Sequence, residues 1–303
     1  MVKELPVAGK RAFGRYRRVI GRYSVPFLVK WTIQWGLRIL TSRLRILPDF
    51  IIIGAQRCGT TSLYSYLLEH PSVIPAFKKE TLFFSNHFGK GVTWYRCHFP
   101  LAWHKHYVRR IRRQDFITGE ASPYYIFHPH VPRRISETVP QARLIALLRN
   151  PVDRAYSHYH HEVKMGLETL PFEDAIEREE ERLSMERAKM LEDENYRSFN
   201  YQNYSYLSRG IYVDQLENWT RFFDRDQILV LKSEDFNDDP VATLEQIAEF
   251  IDLPKWELNE YKKYHYAHYP EMDAAIRKRL TTYFEPHNQR LYEFLGVDLG
   301  WES

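Results

Sequence analysis

Residues 49–62 read DFIIIGAQRCGTTS, an apolar run followed by a turn that carries two glycines. The β-branched residues 51–53 have the length and composition of a buried parallel strand, and Gly54 permits a sharp turn at its end. The next stretch, SLYSYLLEH over 62–70, predicts a helix. The start of a helix binds anions through its free backbone N–H groups and its positive dipole end. This strand, turn and helix therefore predict a phosphate site, although a glycine turn can also serve tight packing alone.

The turn has the glycine spacing of a nucleotide-binding P-loop but lacks the lysine of that motif. Gly54 and Gly59 bound the turn, and Thr60 stands where the P-loop requires lysine. Arg57 supplies a cation instead, and three hydroxyls supply further donors: Thr60, Thr61 and Ser62. No strand ends in an obvious Mg²⁺-binding aspartate. A kinase or ATPase that handles a nucleoside triphosphate is therefore the disfavoured alternative.

Further strands and helices alternate along the chain. Short apolar runs predict strands at 116–119, 142–148 and 227–231. Helical patterns fall between or after them, at 132–139, from Pro151 onward, at 212–223 and at 241–251. This alternation predicts an α/β fold with a mainly parallel sheet covered on both faces, and ligands bound beyond the carboxyl ends of its strands. The charge-rich stretch 173–195 predicts a solvated helix face.

A second candidate anion site follows the strand at 142–148, where residues 148–159 read LRNPVDRAYSHY. Arg149 lies at the strand end, and Ser157 lies eight residues later on the first turns of the next helix. Arg149 offers a planar donor fork and Ser157 a hydroxyl, which together suit a phosphomonoester. The alternative is an arginine that only caps a strand end. We expect Arg154 to brace the sheet or an acidic neighbour.

The two motifs together resemble those of the sulfotransferases that use 3′-phosphoadenosine 5′-phosphosulfate (PAPS). The resemblance covers about residues 48–301 and is strongest to bacterial sulfotransferases and to the heparan sulfate N- and 3-O-sulfotransferase domains. The stretches that carry it are GAQRCGTTSLYSYLLEHPSV, KKETLFF, GEASPYY, LLRNPVDRAYSHY, SRGIYVDQLENW and EPHNQRLYEFLGVDLGW. It implies a P-loop-like three-layer α/β/α fold over residues 48–303 and PAPS as co-substrate, with no metal.

The resemblance also implies roles for individual residues. The residues that would bind the 5′-phosphosulfate are Arg57, Cys58, Gly59, Thr60, Thr61 and Ser62. Arg149 and Ser157 would hold the 3′-phosphate, while Arg209 and Gly210 would complete the nucleotide pocket. Glu80 in KKETLFF matches the family's general base, which takes the proton of the acceptor as it attacks sulfur in line with the leaving group. The alternative for Glu80 is an exposed glutamate beside Lys78 and Lys79.

Three positions depart from the family pattern. Family members usually have lysine where Arg57 stands, and the heparan enzymes have lysine where Ala121 follows Glu120. Thr61 replaces a basic residue of the 3-O enzymes. Arg57 keeps the charge but is a poor proton donor, because an arginine stays protonated. We therefore expect leaving-group stabilisation from preorganised charge and amides, with Arg57 contributing its field. Three histidines are alternative bases: His70, His87 and His128.

The first 47 residues form a basic, aromatic leader. Residues 1–50 carry eleven Lys or Arg against Glu4 and Asp49, whereas the whole chain has a net charge of only +4. Lys30 and Arg38 interrupt its apolar stretch, so a membrane-spanning helix is not predicted. The leader is expected either to lie on an anionic membrane surface or to pack on its own domain. Two cysteines and no signal peptide favour the cytoplasm, including the inner face of the membrane.

The resemblance to the heparan-type enzymes implies a sugar acceptor, and a glycolipid would also suit the basic, aromatic leader. Aromatic and basic side chains around residues 83–113 are candidates for an acceptor cleft: Trp94, Tyr95, Trp103, Tyr107 and Arg109. Nucleic acid is not an expected partner, because the positive charge lies mainly outside the folded domain and no recognition motif is evident. A non-catalytic module that binds an acidic polymer through the leader remains an alternative.

Overall fold

A computed structural model describes residues 25–112, 115–256 and 269–301. Its centre is a five-stranded sheet in the order β2-β3-β1-β4-β5, in which every strand pairing is parallel. The strands are β1 (Phe50–Gly54), β2 (Val73–Pro75), β3 (Ile117–Ala121), β4 (Arg143–Leu148) and β5 (Ile228–Lys232). Helices flank this sheet, so the predicted P-loop-like three-layer α/β/α fold is confirmed.

The middle of the sheet is completely buried. Residues 50–53 and 144–148 have no exposed surface, which explains why both runs are apolar on every residue. Strand β1 lies between β3 and β4, and Gly119 of β3 touches β1 so closely that a Cβ there would be 2.5 Å from the ring of Phe50. The Ala55 N–H donates to Leu147 O at 2.8 Å. The turn after β1 therefore begins beside the end of β4, which brings the two predicted anion motifs together.

The described helices connect and cover these strands. In chain order they are α1 (Val25–Leu40), α2 (Thr60–Leu67), α3 (Gly91–Arg96), α4 (Ala102–Arg112), α5 (Val131–Thr138), α6 (Pro151–Met165), α7 (Phe172–Glu177), α8 (Glu179–Leu183), α9 (Glu186–Glu192), α10 (Phe199–Asn203), α11 (Tyr212–Trp219), α12 (Ser233–Asp238), α13 (Pro240–Phe250) and α14 (Ala274–Leu295). Short 3₁₀ turns occupy Ser42–Leu44, Phe88–Lys90, Ser208–Gly210 and Arg225–Gln227, and a π-helical turn occupies Phe83–His87. All of the predicted strands and helices are present within a few residues of the expected bounds.

The charged stretch 173–195 is mostly exposed, as its composition predicts, but it also contributes buried side chains. It forms three short helices, and two of its glutamates are buried. The carboxylate of Glu179 accepts hydrogen bonds from the N–H groups of Leu207 and Ser208, at 2.6 and 2.8 Å. Glu186 accepts from Ser198 Oγ. Buried backbone amides need acceptors, and a glutamate from a neighbouring helix supplies one here.

The described part of the leader packs on the domain. Trp35 stacks on Phe77, with ring centroids 5.7 Å apart, and Arg45 donates to Phe99 O at 2.7 Å. Residues 1–24 lie outside the described residues. In the ranges that are described, no helix has both the length and the apolarity needed to cross a bilayer.

Candidate active site

The turn after β1 is shaped to hold an anion. Arg57 and Gly59 both adopt positive φ, 73° and 90°, which reverses the chain before α2 begins at Thr60. Glycine takes this backbone conformation without strain, which explains its use at residue 59. The turn leads directly into the N-terminus of α2, the end of a helix that attracts anions.

A side-chain contact joins the two anion motifs. Arg57 Nε donates to Ser157 Oγ at 3.1 Å, and Ser157 is buried in the second turn of α6. Burial lowers the pKa of Arg57, and the nearby charge of Arg149 lowers it further. Two guanidinium groups therefore lie close enough to repel each other. A bound phosphate would neutralise that repulsion, as expected of an anion site.

Cys58 supports the turn from within the core. Its side chain has no exposed surface, and burial raises the pKa of its thiol to about 11, so the thiol stays protonated. Its carbonyl accepts from Ser233 Oγ at 3.0 Å, and its sulfur lies 3.9 Å from the hydroxyl of Tyr212. That hydroxyl donates to Arg149 O at 2.8 Å. Tyr212 therefore connects both motifs, and Cys58 can reach a ligand only through its backbone.

Arg209 and Gly210 lie in the interior beside the turn. The guanidinium of Arg209 donates to Gln56 Oε1 and to two backbone carbonyls, those of Tyr201 and Gln202. Burial lowers the pKa of Arg209 to about 10. A Cβ at Gly210 would come within 2.6 Å of the ring of Phe284. Arg209 therefore supports the turn through Gln56. The absence of a side chain at Gly210 allows Phe284 of α14 to pack closely against it.

Glu80 lies at the other side of the turn, next to a lysine. Lys79 Nζ donates to Thr61 Oγ1 at 2.6 Å and to Glu80 Oε1 at 3.2 Å, and thereby links α2 to the predicted base. The side chain of Glu80 is 44% exposed, whereas that of Lys79 is 23% exposed. Burial lowers the pKa of Lys79. The sequence reasoning named Lys79 only as a neighbour of Glu80, because a contact eighteen residues away in the chain leaves no local pattern.

A buried carboxylate fixes the segment that carries Glu80. Glu120, at the end of β3, has no exposed surface and accepts from Thr81 N, Thr81 Oγ1 and Tyr95 OH, at 3.2, 2.7 and 2.6 Å. Ser122 Oγ also donates to it, at 2.8 Å. Burial raises the pKa of Glu120, while these hydrogen bonds oppose that rise. Glu120 was part of the GEASPYY motif in the sequence, but no role was predicted for it.

The comparisons with known proteins agree with this geometry. A family model described as a sulfotransferase domain matches residues 47–284. The chain belongs to this sulfotransferase family. It is thus a transferase enzyme, and the resemblance drawn from its motifs is confirmed.

This sulfotransferase spans different shares of the lengths of its individual relatives. The membrane-associated sulfotransferase kil1 of Dictyostelium discoideum is 27% identical over 86% of the chain and 68% of that protein. Human heparan sulfate glucosamine 3-O-sulfotransferase 5 is 28% identical over 84% of the chain and 74% of that protein. The bifunctional heparan sulfate N-deacetylase/N-sulfotransferase 1 of Caenorhabditis elegans is 28% identical, and the chain spans 30% of its length. The solved sulfotransferase of Alicyclobacillus acidocaldarius has a TM-score of 0.64 and 30% identity, over 85% of this chain and all of that one.

The histidines predicted as alternative bases are poorly suited to that role in the sulfotransferase, His70 by its position and His87 and His128 by their low pKa values. His70 precedes β2 and contacts Pro254 O at 3.0 Å, so it lies at the amino end of the strand. Burial lowers the pKa of His87 to about 4 and that of His128 to about 3. His161 was not predicted, yet it lies close enough to Arg57 and Glu80 for both charges to affect its pKa.

Three of the residues predicted for an acceptor cleft, Tyr95, Trp103 and Tyr107, do not line a common cleft in the sulfotransferase. Tyr95 is buried and donates to Glu120. Trp103 and Tyr107 are exposed on α4, whose Lys105 pairs with Asp49 at 2.9 Å, just before β1. Because the anion motifs follow the carboxyl ends of the strands, α4 lies near the opposite end of the sheet. The prediction failed because a cluster in sequence is not a cluster in space.

Proposed function

We propose that the chain transfers the sulfonate group of PAPS to a hydroxyl or amine of a carbohydrate acceptor. The observation that carries the proposal is the Arg57–Ser157 contact of 3.1 Å, since it joins two anion motifs that follow neighbouring strands. A nucleotide with a 5′-phosphosulfate and a 3′-phosphate presents two anionic groups, which matches this pair. The described residues include no cluster of three His, Cys, Asp or Glu side chains suited to a metal ion.

The proposed mechanism relies on position and charge. The amides at the start of α2 and the side chain of Thr61 hold the phosphosulfate, while Arg149 and Ser157 hold the 3′-phosphate. Glu80 takes the proton of the acceptor as its oxygen or nitrogen bonds to sulfur. The bond from sulfur to the phosphate oxygen breaks on the opposite side, and that oxygen leaves with its electron pair. Arg57 stabilises the leaving phosphate by its field, because arginine is a poor proton donor.

The second part of the proposal is that the acceptor is a carbohydrate. Several relatives are named for heparan sulfate, and they align over more than four fifths of this chain. The half-exposed side chain of Glu80 fits an acceptor that enters from solvent. A glycolipid would present the same sugar chemistry. Sulfonate incorporation into a panel of glucosamine-containing and lipid-linked saccharides distinguishes these acceptors.

The nucleotide site can be tested without knowing the acceptor. Calorimetry, run first without metal and then with Mg²⁺, measures binding of adenosine 3′,5′-bisphosphate, ADP and ATP to the wild type and to an Arg149→Ala, Ser157→Ala double variant. We expect selective binding of the bisphosphate, weakened at least about 100-fold in the variant, because each lost charge-assisted hydrogen bond costs about 1.5–3 kcal/mol. An Arg133→Ala, Ser136→Ala double variant on the exposed side of α5 is the control. Preference for ATP with Mg²⁺ would instead identify a kinase.

A further inference from the structure

Two long segments of the chain contain no carboxylate. Neither residues 5–48 nor residues 81–114 include Asp or Glu, although the whole chain has 39 such residues. The second segment carries seven basic residues: Lys90, Arg96, Lys105, Arg109, Arg110, Arg112 and Arg113. Positive charge without compensating acids favours an anionic partner.

These two segments meet in the structure. Arg45 and Leu101 form an antiparallel β-bridge, and Ile46 N donates to Pro100 O at 3.0 Å. The guanidinium of Arg38 donates to Cys97 O at 2.8 Å. The end of α1 is therefore attached to the residues that lead into α4, so residues 38–46 and α4 belong to one part of the molecule.

Both segments also expose apolar stripes. On α4, Trp103, Tyr107 and Ile111 recur every four residues and are 62%, 54% and 62% exposed. The inward side of α4 is distinct, because His104 packs on Phe116. A second stripe follows α1 and the turn after it, at Ile33, Leu37, Leu40 and Leu44, with Leu40 exposed by 83%. Stripes of this kind in a soluble protein mark an interaction surface.

We propose that these two stripes, with the basic residues beside them, form a surface that binds an anionic lipid bilayer. Aromatic and aliphatic side chains of an amphipathic helix insert at the boundary of headgroups and acyl chains, and neighbouring Lys and Arg attract anionic headgroups. A bilayer accounts for both features, whereas charge alone would suit any acidic polymer. Exposed Arg43 and Arg110 lie next to the stripes, where they can reach the headgroups.

Vesicle sedimentation of the full chain tests this surface. We expect binding to vesicles that contain 30% phosphatidylserine, weaker binding to pure phosphatidylcholine, and a decrease with added salt. A Trp103→Ser, Tyr107→Ser, Ile111→Ser variant should bind at least about 10-fold more weakly, because it loses the inserted apolar area. The control, Met185→Ser, Leu191→Ser, Val297→Ser, removes equally exposed apolar residues elsewhere and should bind like the wild type.

Two results would overturn the proposal that this surface binds an anionic bilayer. One is equal vesicle binding by the α4 variant and the control variant, with circular dichroism showing both folded. The other is retention of duplex DNA without any vesicle binding, which would assign the basic segments to a nucleic acid.

A second, independent inference concerns Lys79 and rests on the proposed function. The side chain of Arg57 is directed to Ser157, on the side of the 3′-phosphate motif. The cation beside Thr61 and Glu80 is instead Lys79, and its backbone is fixed because Ala121 N donates to Lys79 O at 3.0 Å. An ammonium group has three donors, and these two contacts use two of them.

We infer that Lys79 is a catalytic residue that donates its third N–H to a sulfonate oxygen during transfer. The ammonium lies between the helix start that would hold the phosphosulfate and the carboxylate that would take the acceptor proton. Its charge stabilises the sulfonate as the bond to the leaving phosphate oxygen breaks.

Lys79→Ala, Lys79→Arg and the exposed neighbour Lys78→Ala test this role. We expect Lys79→Ala to lower kcat about 100-fold, Lys79→Arg to recover part of the loss, and Lys78→Ala to leave kcat unchanged. Binding of adenosine 3′,5′-bisphosphate should stay within about 2-fold for all three variants, because this product lacks the sulfonate. Parallel loss of bisphosphate binding and kcat would show a structural role and overturn the inference, as would full turnover by Lys79→Ala. Failure of the wild type to bind the bisphosphate would instead reject the proposed function.

Discussion

The donor side and the acceptor side of the candidate site are built differently. On the donor side, Ser157 and Arg209 are each only 3% exposed, and Arg57 is held by Ser157. On the acceptor side, Glu80 is 44% exposed and its hydrogen-bond partner is Lys79. A nucleotide of fixed shape can be met by a preorganised, buried site, whereas an acceptor from solvent needs an open one. Under the proposed function, the buried part binds the sulfonate donor and the open part admits the acceptor.

The largest expected effect separates the two sides by turnover. Glu80→Gln should lower kcat by at least about 100-fold, because the amide cannot accept the acceptor proton. Binding of adenosine 3′,5′-bisphosphate should change less than about 2-fold, because the hydrogen bond of Glu80 is to Lys79 and the proposed 3′-phosphate site consists of Arg149 and Ser157. Radiolabelled sulfonate transfer gives the rate, and calorimetry gives the binding.

His161→Gln is the matched control for Glu80→Gln, since this histidine lies near both Glu80 and Arg57. Full turnover by Glu80→Gln would remove Glu80 from the base role. Loss of turnover in His161→Gln alone would assign proton removal to the histidine.

The proximity of the two anion motifs was predictable from the sequence because their residues follow strands in two local motifs. The apolar runs 50–53 and 144–148 specify buried parallel strands, and neighbouring parallel strands must bring Arg57 and Arg149 to one edge of the sheet. The supporting residues were missed for the opposite reason. Glu120 contacts Thr81 across 39 residues, and Glu179 contacts Leu207 across 28. A buried carboxylate of this kind looks like any charged surface residue until the chain is folded.

One helix was also missed in the sequence, and residues that lie apart in the fold were grouped together. No helix was predicted over Ala274–Leu295, and the helix that the structure shows there contains Pro286. The aromatic residues between 83 and 113 were grouped by closeness in sequence. Tyr95 belongs to the core under Glu80, whereas Trp103 and Tyr107 lie on α4 near the starts of the strands.

The second expected effect is a change in the pH dependence of the free energy of unfolding, caused by a buried carboxylate on the donor side. Glu162 of α6 is buried, with Oε1 3.4 Å from His158 Nε2, and burial raises its pKa from 4.5 to about 7. The stability that this group contributes is present below about pH 4.5 and is lost as the pH rises through about 7. The wild type should therefore lose up to about 3 kcal/mol more than Glu162→Gln between pH 5 and pH 8.

Urea unfolding at both pH values measures this difference. Burial holds the pKa of His158 well below 6.5. Because His158 is present in both the wild type and Glu162→Gln, the comparison between them isolates the effect of Glu162. Exposed Glu180→Gln should show the pH dependence of the wild type. Identical pH dependence in Glu162→Gln and the wild type would show that the donor side carries its buried carboxylate without cost.

The smallest effect compares two glycines, one on the donor side and one in the leader. A Cβ at Gly210 would lie 2.6 Å from Phe284 Cε1 and 2.9 Å from Pro151 Cβ, whereas a Cβ at Gly36 would meet nothing within 4 Å. Gly210→Ala should destabilise the fold by about 1–3 kcal/mol, because the buried ring and the start of α6 must move apart. Gly36→Ala should stabilise α1 by about 0.5–1 kcal/mol, since alanine favours a helix interior. Urea unfolding measures both changes in the free energy of unfolding. Equal changes would show that the structure accommodates a methyl group at Gly210 as readily as at Gly36.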